Sequence, residues 1–168
     1  MDNLRNYIGQ ELQWRHPKFL KPDYELHTQD TIVLHIHRQG YAGNQALVEA
    51  DENRWLLDRR GFRKKFFILD PQTQAEVATI KGGISGKATV LFPDGREYKW
   101  QSMSFWRSTW GWFTSEDVLL IQQKRGARVE LTPNSQDVPE IALLVALGWY
   151  LTRLAAEDAS STAYAPVT

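Results

Sequence analysis

From about Thr31 to Leu131 the chain is a series of short apolar runs set apart by turn residues, the spacing expected of an all-β fold. The segment from Thr31 to His37 is rich in β-branched residues and ends at Gln39-Gly40. Two apolar runs, Gln45 to Glu49 and Arg54 to Leu57, flank the polar Asp51-Glu52-Asn53 and predict a hairpin. Lys65 to Leu69 returns through Glu76 to Ile80 after Asp70-Pro71-Gln72-Thr73, where proline presets a turn. Ala88 to Phe92 and Arg96 to Trp100 are joined by Pro93-Asp94-Gly95, the clearest hairpin tip of the chain. Val118 to Ile121 and Arg128 to Leu131 form a further pair across Lys124-Arg125-Gly126-Ala127. The spacing predicts about ten to twelve strands, in a sandwich or barrel.

One segment breaks this pattern. Asp137-Val138-Pro139-Glu140 reads as a capping box with proline in the first turn, and Ile141 to Thr152 then runs without a charge. Ala and Leu dominate the run, which favours helix, and no polar stripe interrupts it. Such a helix is predicted to be enclosed on all sides. The uncharged run covers only about 18 Å of helix, short of the ~30 Å of a bilayer core. A span would need Arg153 to snorkel and everything from Val138 to Ala156 to count. A sheet followed by such a helix is satisfied economically when the sheet closes into a barrel around it, which also removes exposed edges. The expectation is a mainly β single domain over 1–158: a closed antiparallel barrel of about twelve strands around a buried helix at about 138–156. The small, polar segment 159–168 is expected to be a disordered tail.

Composition sharpens the function classes more than the fold. In 168 residues, 20 Lys and Arg balance 20 Asp and Glu, and there is no cysteine. Neutrality argues against nonspecific nucleic-acid binding, and the missing thiol excludes disulfides, Cys-based zinc sites, thiol nucleophiles and palmitoylation. Met1 to Tyr7 has no apolar core behind a basic start, so no secretory signal is expected and a cytoplasmic location is.

Several phrases together resemble the tubby C-terminal-like superfamily, and within it the LURP-one-related proteins, with phospholipid scramblases as more distant relatives. They are Trp55-Leu56-Leu57-Asp58-Arg59-Arg60-Gly61-Phe62, Phe67-Ile68-Leu69-Asp70, Ala78-Thr79-Ile80-Lys81, Pro93-Asp94-Gly95-Arg96-Glu97-Tyr98 and the late helix from Pro139 to Leu154. The likeness covers roughly Tyr24 to Leu154 and lies in the order of elements. It implies a twelve-stranded barrel around a hydrophobic C-terminal helix, in a superfamily some of whose members bind phosphoinositides. The chain departs from the scramblases in having no cysteine-rich run, Pro-rich arm or Asp-rich calcium loop. It also lacks the tubby C-terminal signature, so no tubby lipid-binding residue carries over.

Candidate chemistry is sparse. His35 and His37 share a strand face, but a cupin-like carboxylate is missing: Tyr41 and Ala42 stand at the expected spacing, and no metal is expected. Gly82 to Thr89 is neither a P-loop nor a nucleophile elbow, because Lys81, Lys87 and Ala88 occupy the wrong positions and a strand follows. Trp100, Trp106, Trp110 and Trp112 share one parity, which suits a barrel wall packed on a helix, and Gly111 between two of them suggests a bulge or tight packing. The dense charge run is Arg59, Arg60, Arg63, Lys64 and Lys65, with Lys81 and Lys87 near it if the hairpins pair as drawn. Beside Phe62 and Phe66 these cations suit an anionic phosphate or a lipid headgroup, although a cationic turn also keeps a strand edge soluble.

No carboxylate pair, triad or metal cluster passes a spacing test, so no enzyme and no cofactor is expected. The leading reading is a binding module for anionic phospholipid, phosphoinositide or another phosphate-bearing ligand, peripheral at a membrane. The alternatives are a structural or protein-interaction module and a scramblase-like membrane-associated protein. Oligomeric state is left open.

Overall fold

A computed structural model describes residues 3–17, 22–40, 44–60, 65–82, 87–104 and 108–163, with side chains to residue 160. Twelve strands follow one another around a ring, every neighbouring pair antiparallel. They are β1 (Glu11–Arg15), β2 (Asp23–His27), β3 (Ile32–Gln39), β4 (Gln45–Ala50), β5 (Asn53–Arg60), β6 (Lys65–Leu69), β7 (Glu76–Gly82), β8 (Ala88–Leu91), β9 (Glu97–Ser102), β10 (Trp110–Thr114), β11 (Leu119–Lys124) and β12 (Arg128–Leu131). The ring closes where β1 pairs with both β2 and β12. The helix α1 (Ile141–Ala163) runs through it. The expected closed antiparallel barrel with one C-terminal helix is therefore the observed fold.

Alternation decides what fills the interior. Ile36, Val48, Leu57, Ile68, Val90, Trp112, Ile121 and Leu131 point inward and are almost wholly removed from solvent. They meet Leu143, Leu144, Ala146, Leu147 and Leu151 of α1, which are equally buried. Each large side chain enclosed this way contributes about 1.5–3 kcal/mol. A helix with no polar stripe needs apolar walls on every side, and the barrel supplies them.

The strands not drawn from the sequence are β1, β2 and β10. Trp100 and Trp112 sit directly opposite each other on β9 and β10, with ring centroids 5.2 Å apart, and Trp110 stacks on Trp100 at 5.6 Å. The shared parity of these tryptophans is thus a shared inner face. Gly111 is needed for close packing on the outer face: a Cβ there would come within 2.9 Å of Leu119 and Met103. The β10–β11 register shifts just after it, between Trp112 and Phe113. Phe105 and Trp106 lie outside the described residues.

The helix differs from its expected bounds at both ends. It starts at Ile141, and the Glu140 carbonyl accepts from the Leu144 N–H at 3.1 Å, so Asp137 does not open a capping box. The reason is long-range. Arg96 holds the Glu140 carboxylate with two guanidinium nitrogens, one at 2.7 Å, and Arg5 donates to the carbonyls of Gln136 at 3.0 Å and Pro139 at 3.1 Å. At the other end the helix continues to Ala163, past the expected stop at 156 and into the segment read as a disordered tail. Arg38 pairs with Glu157 and Arg59 with Asp158, and these contacts tie the added turns to the barrel wall. Residues 164–168 lie outside the described residues.

Candidate anion-binding surface

In an up-and-down barrel the odd strands all finish at one end and the even strands all begin there. Here that is the end from which α1 emerges, since its last turns meet Arg38 near the end of β3 and Arg59 near the end of β5. Charge is sorted by this geometry. Arg15, Arg60, Lys65, Lys81, Lys124 and Arg128 lie at or next to strand ends on the exit side. Asp51, Glu52, Asp70, Asp94, Glu116 and Asp117 lie in the turns at the opposite end, where the helix enters. A chain of zero net charge is in this way a strongly bipolar molecule. The arrangement also suits the helix, whose C-terminus carries partial negative charge and whose N-terminus carries partial positive charge.

The described cations among those singled out in the sequence divide into three groups. Arg59 points inward: its guanidinium donates to Asp158 at 2.9 Å, lies 5.9 Å from the centre of the Phe66 ring, and its side chain is 9% exposed. It is a structural tie. Arg60 points outward, bonded to the buried carboxylate of Asp58 and stacked over Phe67 at 5.0 Å, with its side chain 54% exposed. Lys65, Lys81 and Lys87 are exposed and have no ion-pair partner among the described residues. Arg63 and Lys64 lie outside the described residues.

The three outer cations of β5, β6 and β7 stand side by side. Arg60 is paired directly with Lys65, and the β6–β7 register, Phe67 with Thr79, puts Lys65 and Lys81 at the same level. Lys87 follows one residue ahead of Ala88, which pairs with Gly82. Like charges facing each other across strands destabilise a sheet unless an anion stands among them. Asp58 answers Arg60, and nothing described answers the lysines.

Around the histidines the polar groups are matched internally. His35 and His37 face outward with their rings stacked at 5.5 Å; Glu25 bonds His27 at 2.8 Å and stands 3.8 Å from His35, and Asp23 is 3.4 Å from His37. Inside the mouth, Tyr150 donates to the Asn44 carbonyl at 3.3 Å, and burial pushes its phenol up to about 12. Arg38 stacks on the Tyr150 ring at 5.5 Å. Sequence reasoning did not find Arg38, because its role depends on which strand residues face a helix more than a hundred positions away. No helix among the described residues is long and apolar enough to cross a membrane.

The chain matches no protein-family model, no curated protein and no solved structure.

Proposed function

We propose that this protein is a non-enzymatic module that binds anionic phospholipid headgroups, phosphoinositides among them, at the exit end of its barrel. Arg60, Lys65, Lys81 and Lys87 make the contact, and Arg59 serves the fold by fixing the end of α1. The observation that carries this reading is the outward lysine pair on β6 and β7, opposed at one level without a carboxylate partner among the described residues. Sorting of charge between the two ends supports it, since a polarised molecule presents one face to an anionic surface. A twelve-stranded barrel around a hydrophobic helix is also the architecture that the resemblance to tubby-like and LURP-one-related proteins implies, and it supports that family as a proposal.

The test is co-sedimentation with vesicles. Vesicles of neutral lipid should leave the protein in the supernatant, and those with a few per cent phosphoinositide should pellet it. Changing Lys65, Lys81 and Lys87 together to Gln should remove the difference without moving the melting curve. Equal pelleting of wild type and triple variant would overturn the assignment.

A further inference from the structure

Three side chains form a layered stack at the exit mouth, on the β1–β2 side of the barrel. Trp14 of β1 stacks on Trp149 of α1, ring centroids 5.3 Å apart and planes 14° from parallel. One helical turn later Arg153 lies with its guanidinium carbon 5.8 Å from the centre of the Trp149 ring, and Tyr24 of β2 meets the same ring edge-on at 5.5 Å. Every polar group on the side chains of Trp14, Trp149 and Arg153 is a donor. The indole N–H groups of Trp14 and Trp149 and the Nε of Arg153 are all buried without a hydrogen-bond partner. No ion pair to Arg153 occurs among the described residues. Trp14 is only 3% exposed.

Buried donors without an acceptor are uncommon in folded proteins, and three in one stack with a cation among them are the complement of an oxyanion. The other inward arginines at this mouth are answered, Arg38 by Glu157 and Arg59 by Asp158. Among the described residues, the Trp149 ring is the contact that engages the Arg153 guanidinium, and no carboxylate neutralises it. We propose that the Trp14–Trp149–Arg153 stack is an oxyanion site for a phosphate group, with Arg153 as the charged clamp and the two indole N–H groups as neighbouring donors. The site lies half the ring away from Lys65 and Lys81 and does not rest on the reading given for them.

Indole N–H resonances report on such a site directly. In ¹⁵N-labelled protein the signals of Trp14 and Trp149, assigned with Trp14→Phe and Trp149→Phe, should move on titration with inorganic phosphate or with a short-chain phosphatidic acid below its micelle concentration. Movement with both probes assigns the phosphate group itself, and movement with the lipid alone assigns the headgroup; either supports the site. The Trp112 indole, also unpartnered but sealed in the core, is the internal control and should stay in place. Arg153→Gln should weaken binding about tenfold or more, the worth of a charged hydrogen bond, and the triple lysine variant should leave it unchanged. If Arg153→Gln does not fold, Arg153→Lys should still weaken it by losing the planar fork. Trp14 and Trp149 signals unmoved by either probe, or moved equally in a folded Arg153 variant, would overturn the proposal.

Discussion

Gly148 of α1 lies directly beneath the indole of Trp100: a Cβ built on it would stand 2.8 Å from Trp100 Cζ3 and 3.0 Å from Trp112 Nε1. Glycine inside a helix normally costs about 1 kcal/mol relative to alanine, so Gly148→Ala would stabilise an open helix. Here the indole cannot retreat, because Trp110 and Trp112 pack against it. Overpacking costs about 1–3 kcal/mol, enough to reverse the sign. Gly148→Ala is expected to lower the urea midpoint, and an equal or higher midpoint would show that the contact yields.

Leu147 is fully buried in the middle of the same helix, with strands on every side. An aspartate there would be an unpaired charge costing several kcal/mol, against a total stability of ~5–15 kcal/mol. Leu147→Asp should not fold, whereas Leu147→Ala should fold with a loss of about 2–5 kcal/mol. A cooperatively melting Leu147→Asp protein would mean that the helix can leave the barrel.

Most of this architecture can be read from local pattern, because hairpin tips such as Pro93-Asp94-Gly95 and the unstriped helix are local signals. β1 and β2 escape it because Glu11–Arg15 and Asp23–His27 carry few apolar positions: Leu12 and Trp14 in the first, Tyr24 and Leu26 in the second. β10 reads as an aromatic cluster, although its alternation is what sets Trp110 and Trp112 inward. The basic run shows the limit for the site. Alternation says that Arg59 and Arg60 face opposite ways, but only the pairing of Leu57 and Arg59 with Ile68 and Phe66 tells which one enters the barrel. The Arg153 stack has no sequence signature, since its partners lie on β1 and β2.

Alkaline pH should act through Tyr150. Burial holds its pKa at about 12 against the usual 10, so the neutral phenol is the form the fold favours. The stability this represents is fully present below pH 10 and is lost as pH rises from 10 through 12. Tyr150→Phe should flatten the fall in stability over that window, with a loss of about 1 kcal/mol near neutrality from the missing bond to the Asn44 carbonyl. Parallel pH profiles for the two proteins would refute it.

Acid should act at the entry-end turns. Asp70 is held below the usual carboxylate value of 3.8 by the backbone N–H groups of Thr73 and Gln72, at 2.9 and 2.8 Å. Asp94 is lowered by the Arg96 side chain, at 2.6 Å, and by the Arg96 N–H. A depressed carboxylate contributes stability that is present above about pH 4 and lost as pH falls through its folded value. The double variant Asp70→Asn, Asp94→Asn should therefore show a shallower decline in melting temperature below pH 4 than wild type. A decline just as steep would place the acid sensitivity elsewhere.

Salt distinguishes Coulomb attraction at the lysine face from apolar insertion. Near an anionic bilayer each cation contributes ~1 kcal/mol, so Lys65, Lys81 and Lys87 together contribute roughly 3 kcal/mol, about a hundredfold in affinity if additive. The Debye length falls from ~10 Å at 0.1 M salt to ~3 Å at 1 M, and exposed charges are screened accordingly. Binding to phosphoinositide vesicles, followed by co-sedimentation, should therefore fall steeply with added salt in wild type and be weak and nearly flat in the triple Gln variant. An affinity indifferent to salt in both proteins would assign the contact to apolar side chains and remove the lysines from it.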